Sequence, residues 1–223
     1  NQRIQKFDGS GTFISKWGSS GSGDGQFNYP RGVTVDGLGH VYVVDSNSNC
    51  NCIQIFDGSG TFIIKWGSLG SGDGQFSSPA GVAVDGSGNV YVADTGNNRI
   101  QKFDSSGAFL LKWGTSGSGN GQFNQPIGVA LDSAGNVYVA DQSNHRIQKF
   151  GPDGTFITEW GSLGSRNGQF QEPHGVAVGN SGNVYVADYG NRRIQKFDPD
   201  GTFITKWGTF GTGNGQFIVP YQV

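Results

Sequence analysis

The stretch "PIGVALDSAGNVYVADQSNHRIQKFGPDGTFITEW", residues 126–160, decides the fold. It contains four short apolar runs: "GVALD", "NVYVAD", "RIQKF" and "TFITEW". Each is rich in β-branched and aromatic residues and bounded by turn formers, the pattern of strands. The connections "SAGN" and "GPDG" are short and carry glycine, as antiparallel hairpins require. The stretch therefore reads as one four-stranded antiparallel sheet.

The same sheet is written again along the chain. "RIQKF" follows Gln2, Asn98, His145 and Arg192, and a degraded copy reads "NCIQIF" from Asn51. Trp17, Trp66, Trp113, Trp160 and Trp207 mark the beat, with spacings of 49, 47, 47 and 47. The longer first interval comes from "SNSNCNC" at 46–52, which holds two extra residues. Pro30, Pro79, Pro126, Pro173 and Pro220 keep the same beat. A period of this length belongs to propeller blades, roughly 40–50 residues with four strands each. "GVAV" and "VYVA" are apolar almost throughout, so both faces of each sheet need cover. Stacking twisted sheets around an axis supplies it. The repeated tryptophans are expected between blades, where full burial of such a side chain contributes roughly 1.5–3 kcal/mol.

The residues "PxGVAVDxxGNVYVADxxNxRIQKFD", followed by "GxGxGQFxxP", resemble the NHL repeat, a family named for its Asn-His-Leu motif. The resemblance covers essentially the whole chain. It implies a β-propeller, most often six-bladed, but no single activity. Relatives include protein-binding and RNA-binding modules, extracellular sensor domains and an amidating lyase. The expected fold is all-β: four full blades and an N-terminal half-blade in one domain, open or incompletely closed. The boundaries are an outer half-blade and link at 1–27, full repeats at 28–76, 77–123, 124–170 and 171–217, and the start of another at 218–223. Closing a five-unit ring would take the equivalents of residues 130–143. The opening "NQRIQKF" starts inside a repeat, without Met or signal peptide, which suggests a processed, trimmed or partly known chain.

Composition excludes little. The 223 residues carry a formal charge of −2, so nothing draws the whole chain toward nucleic acid or anionic membrane. No apolar run approaches the roughly 18 residues of a membrane helix, and no membrane insertion is expected. Cys50 and Cys52 are too few for a disulfide framework or a four-ligand zinc site. A bridge between residues so close in an extended segment would be strained. The cysteines read either as unpaired thiols or as a bond to another chain.

Differences between repeats fall at two places. One flanks the marker proline: "NYPR", "SSPA", "NQPI", "QEPH" and "IVPY". The other links the second and third strands: "SNSNCN" at 46–51, "TGNN", "QSNH" and "YGNR". Strand direction alternates, so both places share one end of the disc. That face offers Tyr29, Arg31, Glu172, His174, Tyr189, Arg192 and Tyr221 as binding residues. Arg31, Ala80, Ile127, His174 and Tyr221 should ring the mouth of the central channel. Loops on a rigid scaffold are where binding residues gather, and they are also where surface positions drift freely.

Asp94, Asp141 and Asp188 end second strands and lie near Arg99, Arg146 and Arg193. Each pair is expected to pin its blade, with phosphate binding by the arginines as the alternative. His40 should lie on the opposite face from His145 and His174, so no three-histidine metal site and no cofactor are expected. Catalysis needs unlike groups converging on one point, and near-identical units supply mainly copies. The expected function is therefore a non-catalytic interaction or structural module, not an enzyme. It would bind a protein or glycan through one loop face, or self-assemble through exposed blade edges. RNA binding is the rival, disfavoured by the mixed charge of the variable face, and a lyase-like enzyme the weakest option. Few Lys or Glu among many Gly, Ser and Asn suit an extracellular or cell-surface protein of bacterial type.

Overall fold

The computed structural model describes residues 1–46 and 50–223. Four four-stranded antiparallel sheets follow one another as propeller blades. Blade one is Pro30–Val35, Val41–Asp45, Cys52–Phe56 and Phe62–Trp66. Blade two is Val82–Val84, Val90–Asp94, Arg99–Phe103 and Phe109–Trp113. Blade three is Pro126–Leu131, Val137–Asp141, Arg146–Phe150 and Phe156–Trp160. Blade four is Pro173–Val178, Val184–Asp188, Arg193–Phe197 and Phe203–Trp207. Ile4–Phe7 pairs with Phe13–Trp17 as a two-stranded half-blade. There is no α-helix among the described residues, only the 3-10 turns Thr95–Asn97 and Gln142–Asn144.

The cores lie between blades, as the doubly apolar strands require. Tyr42, Val44, Ile53 and Ile55 of blade one pack on Val82, Val90, Val92 and Phe103 of blade two, with Phe76 of the link between them. Val41 and Val43, on the other face of the same strand, pack toward Ile4 and Trp17. Each half-buried tryptophan meets a phenylalanine of the following blade: Trp17 with Phe56, Trp66 with Phe103, Trp113 with Phe150, Trp160 with Phe197. Trp207 has no following blade against it and is 43% exposed.

The buried carboxylate of Asp94 accepts a hydrogen bond from Arg99 Nε at 2.7 Å, and Asp141–Arg146 and Asp188–Arg193 repeat the pair at 2.8 and 2.7 Å. The rest of each guanidinium donates to carbonyls of the link leading into its own blade. Arg99 takes Ser71, Gly72 and Gln75. In blades two to four a clasp of buried polar groups thus ties the link to its sheet, with the Asp and Arg paired as burial demands.

The cysteines depart from expectation. Cys50 and Cys52 are joined to each other, with Cα atoms 5.1 Å apart. The segment between them is not extended: Asn51 has φ 45°, which turns the chain and brings the two side chains together. Cys52 faces Asp45 across the ladder, where sibling blades place Arg opposite Asp.

Candidate functional site

The mouth of the channel is built by backbone first. In each blade a glycine directly follows the mouth residue, in the first strand or just before it: Gly32, Gly81, Gly128 and Gly175. A Cβ at Gly128 would overlap the carbonyl of His174, and one at Gly81 the carbonyl of Ile127. The missing side chains let neighbouring blades approach closely and fix the preceding residues around one opening. That opening is a cavity of about 350 Å³ lined by Tyr29, Arg31, Ala80, Ile127, His174 and Tyr221.

His174 is buried, at 7% exposure. Its imidazole stacks on Tyr189 with centroids 4.2 Å apart, and Tyr221 packs edge-on at 5.1 Å. Nε2 lies 2.9 Å from the side-chain amide of Gln142, reaching over from blade three. Nδ1 is buried with no hydrogen-bond partner. Burial first, and the positive Arg31 second, push its pKa down to about 4, so the ring is neutral at pH 7. Arg31 stands over the exposed Tyr29 ring, its guanidinium carbon 5.5 Å from the centroid. The Tyr221 phenol is raised above its ordinary value, chiefly by neighbouring Tyr189.

Five of the seven residues expected on this face therefore gather: Tyr29, Arg31, His174, Tyr189 and Tyr221. Two do not join them. Arg192 lies over the Phe210 ring at 4.8 Å. Glu172 is exposed, and its backbone N–H donates to His145 Nδ1 at 3.1 Å. His40 pairs with Asp36, so the three histidines have separate partners. Of the variable link at 46–51, residues 47–49 lie outside the described residues. Sequence reading passed over Gln142. Its signal is the position after the strand-two Asp, occupied by Ser46, Thr95, Gln142 and Tyr189 in turn. That position reaches the next blade's first strand: the Thr95 hydroxyl donates to the Pro126 carbonyl as Gln142 meets His174.

The family model described as NHL repeat matches residues 27–56, 76–103, 123–150 and 170–197, just over half of the chain. No curated protein matches by sequence. Among solved structures, a streptogramin B lyase aligns over 99% of this chain and 65% of its own, with TM-score 0.69 and 17% identity. A catalytically inactive histidine-to-alanine variant of virginiamycin B lyase from Staphylococcus aureus, with quinupristin, aligns over 99% and 66%, with TM-score 0.67 and 17% identity. A protein of unknown function from Bacteroides caccae aligns over 92% and 74%, with TM-score 0.68 and 13% identity. The chain thus spans slightly under two thirds of the length of these two lyase structures.

These neighbours correct two expectations, that the chain is a non-catalytic interaction or structural module and that it is not an enzyme. Both rest on the sameness of the repeats. The lyases overturn that ground, because the same succession of blades is an enzyme's framework there. Sameness is a property of the strands, whereas the mouth takes a different residue from each repeat and so brings unlike groups together. At 17% identity the likeness itself is one of fold. The four matched repeats and the four blades that they build make this chain a member of the NHL-repeat β-propeller family.

Proposed function

We propose that the chain is a lyase-type enzyme working at the channel mouth, with His174 as the proton-transfer group. The observation that carries this reading is the state of His174: buried, neutral at pH 7, with one ring nitrogen unpartnered and a guanidinium nearby. A neutral imidazole accepts a proton without first having to lose one. Elimination here uses the tautomer that carries its hydrogen on Nε2, with the Gln142 amide turned so that its oxygen accepts from it. Nδ1 is then the free acceptor: the proton leaves carbon for Nδ1, the C–H electron pair forms the new double bond, and the leaving group departs with its own pair. Arg31 offsets the negative charge that develops on the substrate. Gln142 and Tyr189 orient the ring. Tyr221, 58% exposed, is the ring a substrate displaces to reach it.

The solved lyases suggest the first substrate to try, quinupristin. Conversion would be followed by chromatography and mass spectrometry. Wild-type protein should form a product, and His174→Ala should lose about 100-fold or more of the rate, with His174→Gln as a folding control. No conversion by wild type, or equal conversion by the variants, would sink the proposal. The Cys50–Cys52 bridge supports an extracellular or cell-surface location, because such bonds persist in oxidising surroundings.

A further inference from the structure

The chain holds three Asn-Gly pairs: Asn120-Gly121, Asn167-Gly168 and Asn214-Gly215. All three sit in the same turn. The N–H of Gln122, Gln169 or Gln216 donates to the carbonyl of the residue before the Asn, at 3.0, 3.2 and 3.0 Å. The glycines share one left-handed conformation, with φ of 75°, 77° and 72°, and each Asn is exposed. Asn-Gly is also a reactive pair. The glycine carries no side chain to shield its nitrogen, and that nitrogen can attack the carboxamide carbon of the preceding Asn.

The three turns differ in what holds the glycine nitrogen. Gly121 N–H donates to Gln148 Oε1 at 2.9 Å, and Gly168 N–H to Gln195 Oε1 at 3.0 Å. Each of these glutamines donates in return, from Nε2 to the carbonyl of Gln122 or Gln169 at 2.7 Å. Both are fully buried, and both also donate to the Asp of their own clasp. A fixed third-strand side chain therefore grips each turn at two points. Gly215 has no such grip. Its N–H has no hydrogen-bond partner among the described residues, and Asn214 and Gly215 are both exposed. Residues 119–123 and 213–217 both read "GNGQF". Any difference in reactivity between Asn120 and Asn214 therefore comes from the fold.

We propose that Asn214 is a deamidation site, and that Gln148 and Gln195 guard Asn120 and Asn167 against the same reaction. The Gly215 nitrogen loses its proton to solvent and bonds to the Asn214 carboxamide carbon. The bond from that carbon to the side-chain nitrogen breaks, and ammonia leaves, taking its third hydrogen from water. A second water opens the cyclic imide, leaving aspartate or isoaspartate at 214. At Asn120 the same attack first has to pull the Gly121 N–H and the Gln122 carbonyl off a buried amide, which leaves that amide unpaired. The fold accepts an acid at this place in the turn: Asp24 and Asp73 hold it in the first two links, paired with Lys65 and Lys112.

Incubation of the intact chain at mildly alkaline pH tests this, with amide-to-acid conversion read at each Asn by peptide mapping and mass spectrometry. Asn214 should convert about tenfold or more faster than Asn120, the penalty of losing the two clamping bonds. In concentrated urea the two rates should coincide. Gln148→Met, close in length but without the amide, should raise the Asn120 rate toward that of Asn214 and leave Asn214 unchanged. Equal rates in the folded chain, a gap that persists in urea, or an unaltered Asn120 rate in the folded variant would each overturn the proposal. The comparison of folded with unfolded wild type needs no variant.

Discussion

His174 illustrates how one residue acquires chemistry from its neighbours. In the unfolded chain it protonates below about pH 6.5, whereas in the folded chain its pKa is pushed down to about 4. The unfolded state therefore binds the extra proton between those values. Stability is undiminished above about 6.5 and falls as the pH drops toward 4. The loss should be on the order of 2–3 kcal/mol, and thermal melts of His174→Gln should lack that component of the pH slope. The proposed turnover should persist to about pH 5 and fall toward 4, because the imidazole stays unprotonated until then. A rate profile breaking near 6.5 instead would show a histidine open to water. The post-proline position of His174 was legible in the sequence, as was its place at the mouth. Its stacking on Tyr189 and its contact with Gln142 were not, because they depend on the angle between adjacent blades, and no single repeat encodes that angle.

At the scale of the element, blades two, three and four each carry their own clasp. Asp141 takes part in bonds with Arg146, Asn144, Gln148 and the Asn124 backbone, all with its carboxylate buried. Replacing it with Ala leaves a guanidinium buried and uncompensated, at a cost of about 3–5 kcal/mol. An unchanged melting midpoint would mean that the pair is dispensable. Blade one tests the same idea in reverse. Cys50 and Cys52 occupy the places of the sibling Asn and Arg, as in Asn97 and Arg99, while Asp45 still accepts the N–H groups of Asn28 and Tyr29. The double change Cys50→Asn with Cys52→Arg should match or exceed the reduced wild type by about 1–3 kcal/mol in chemical denaturation. A less stable variant would show that the bridge is not a substitute clasp. The Asp–Arg spacing was plain in the sequence because it recurs three times unaltered. The bridge was hidden because the left-handed turn at Asn51, which Asn98, His145 and Arg192 share in the sibling blades, is a backbone feature that the strand pattern does not announce, and two extra residues in this link obscure the match.

For the whole molecule, the interfaces between blades set where substitutions matter. Trp113 is packed against Phe150 of the next blade, so Trp113→Ala should cost on the order of 2–4 kcal/mol. Trp207, with no such neighbour, should cost about 1 kcal/mol or less. Equal losses at both sites would contradict an architecture held by blade-to-blade packing. The direction of the clasps has a consequence for how the protein is made. Arg99, Arg146 and Arg193 all reach back 24 to 28 residues, to carbonyls of segments already synthesised, and these bonds wait for nothing downstream; Arg146 later gains the Glu159 carboxylate as well. A polypeptide leaving the ribosome can therefore lock each sheet as soon as its third strand emerges. Translation adds the blades one at a time, and a nascent chain that has emerged as far as Phe150 already holds the clasps of Arg99 and Arg146.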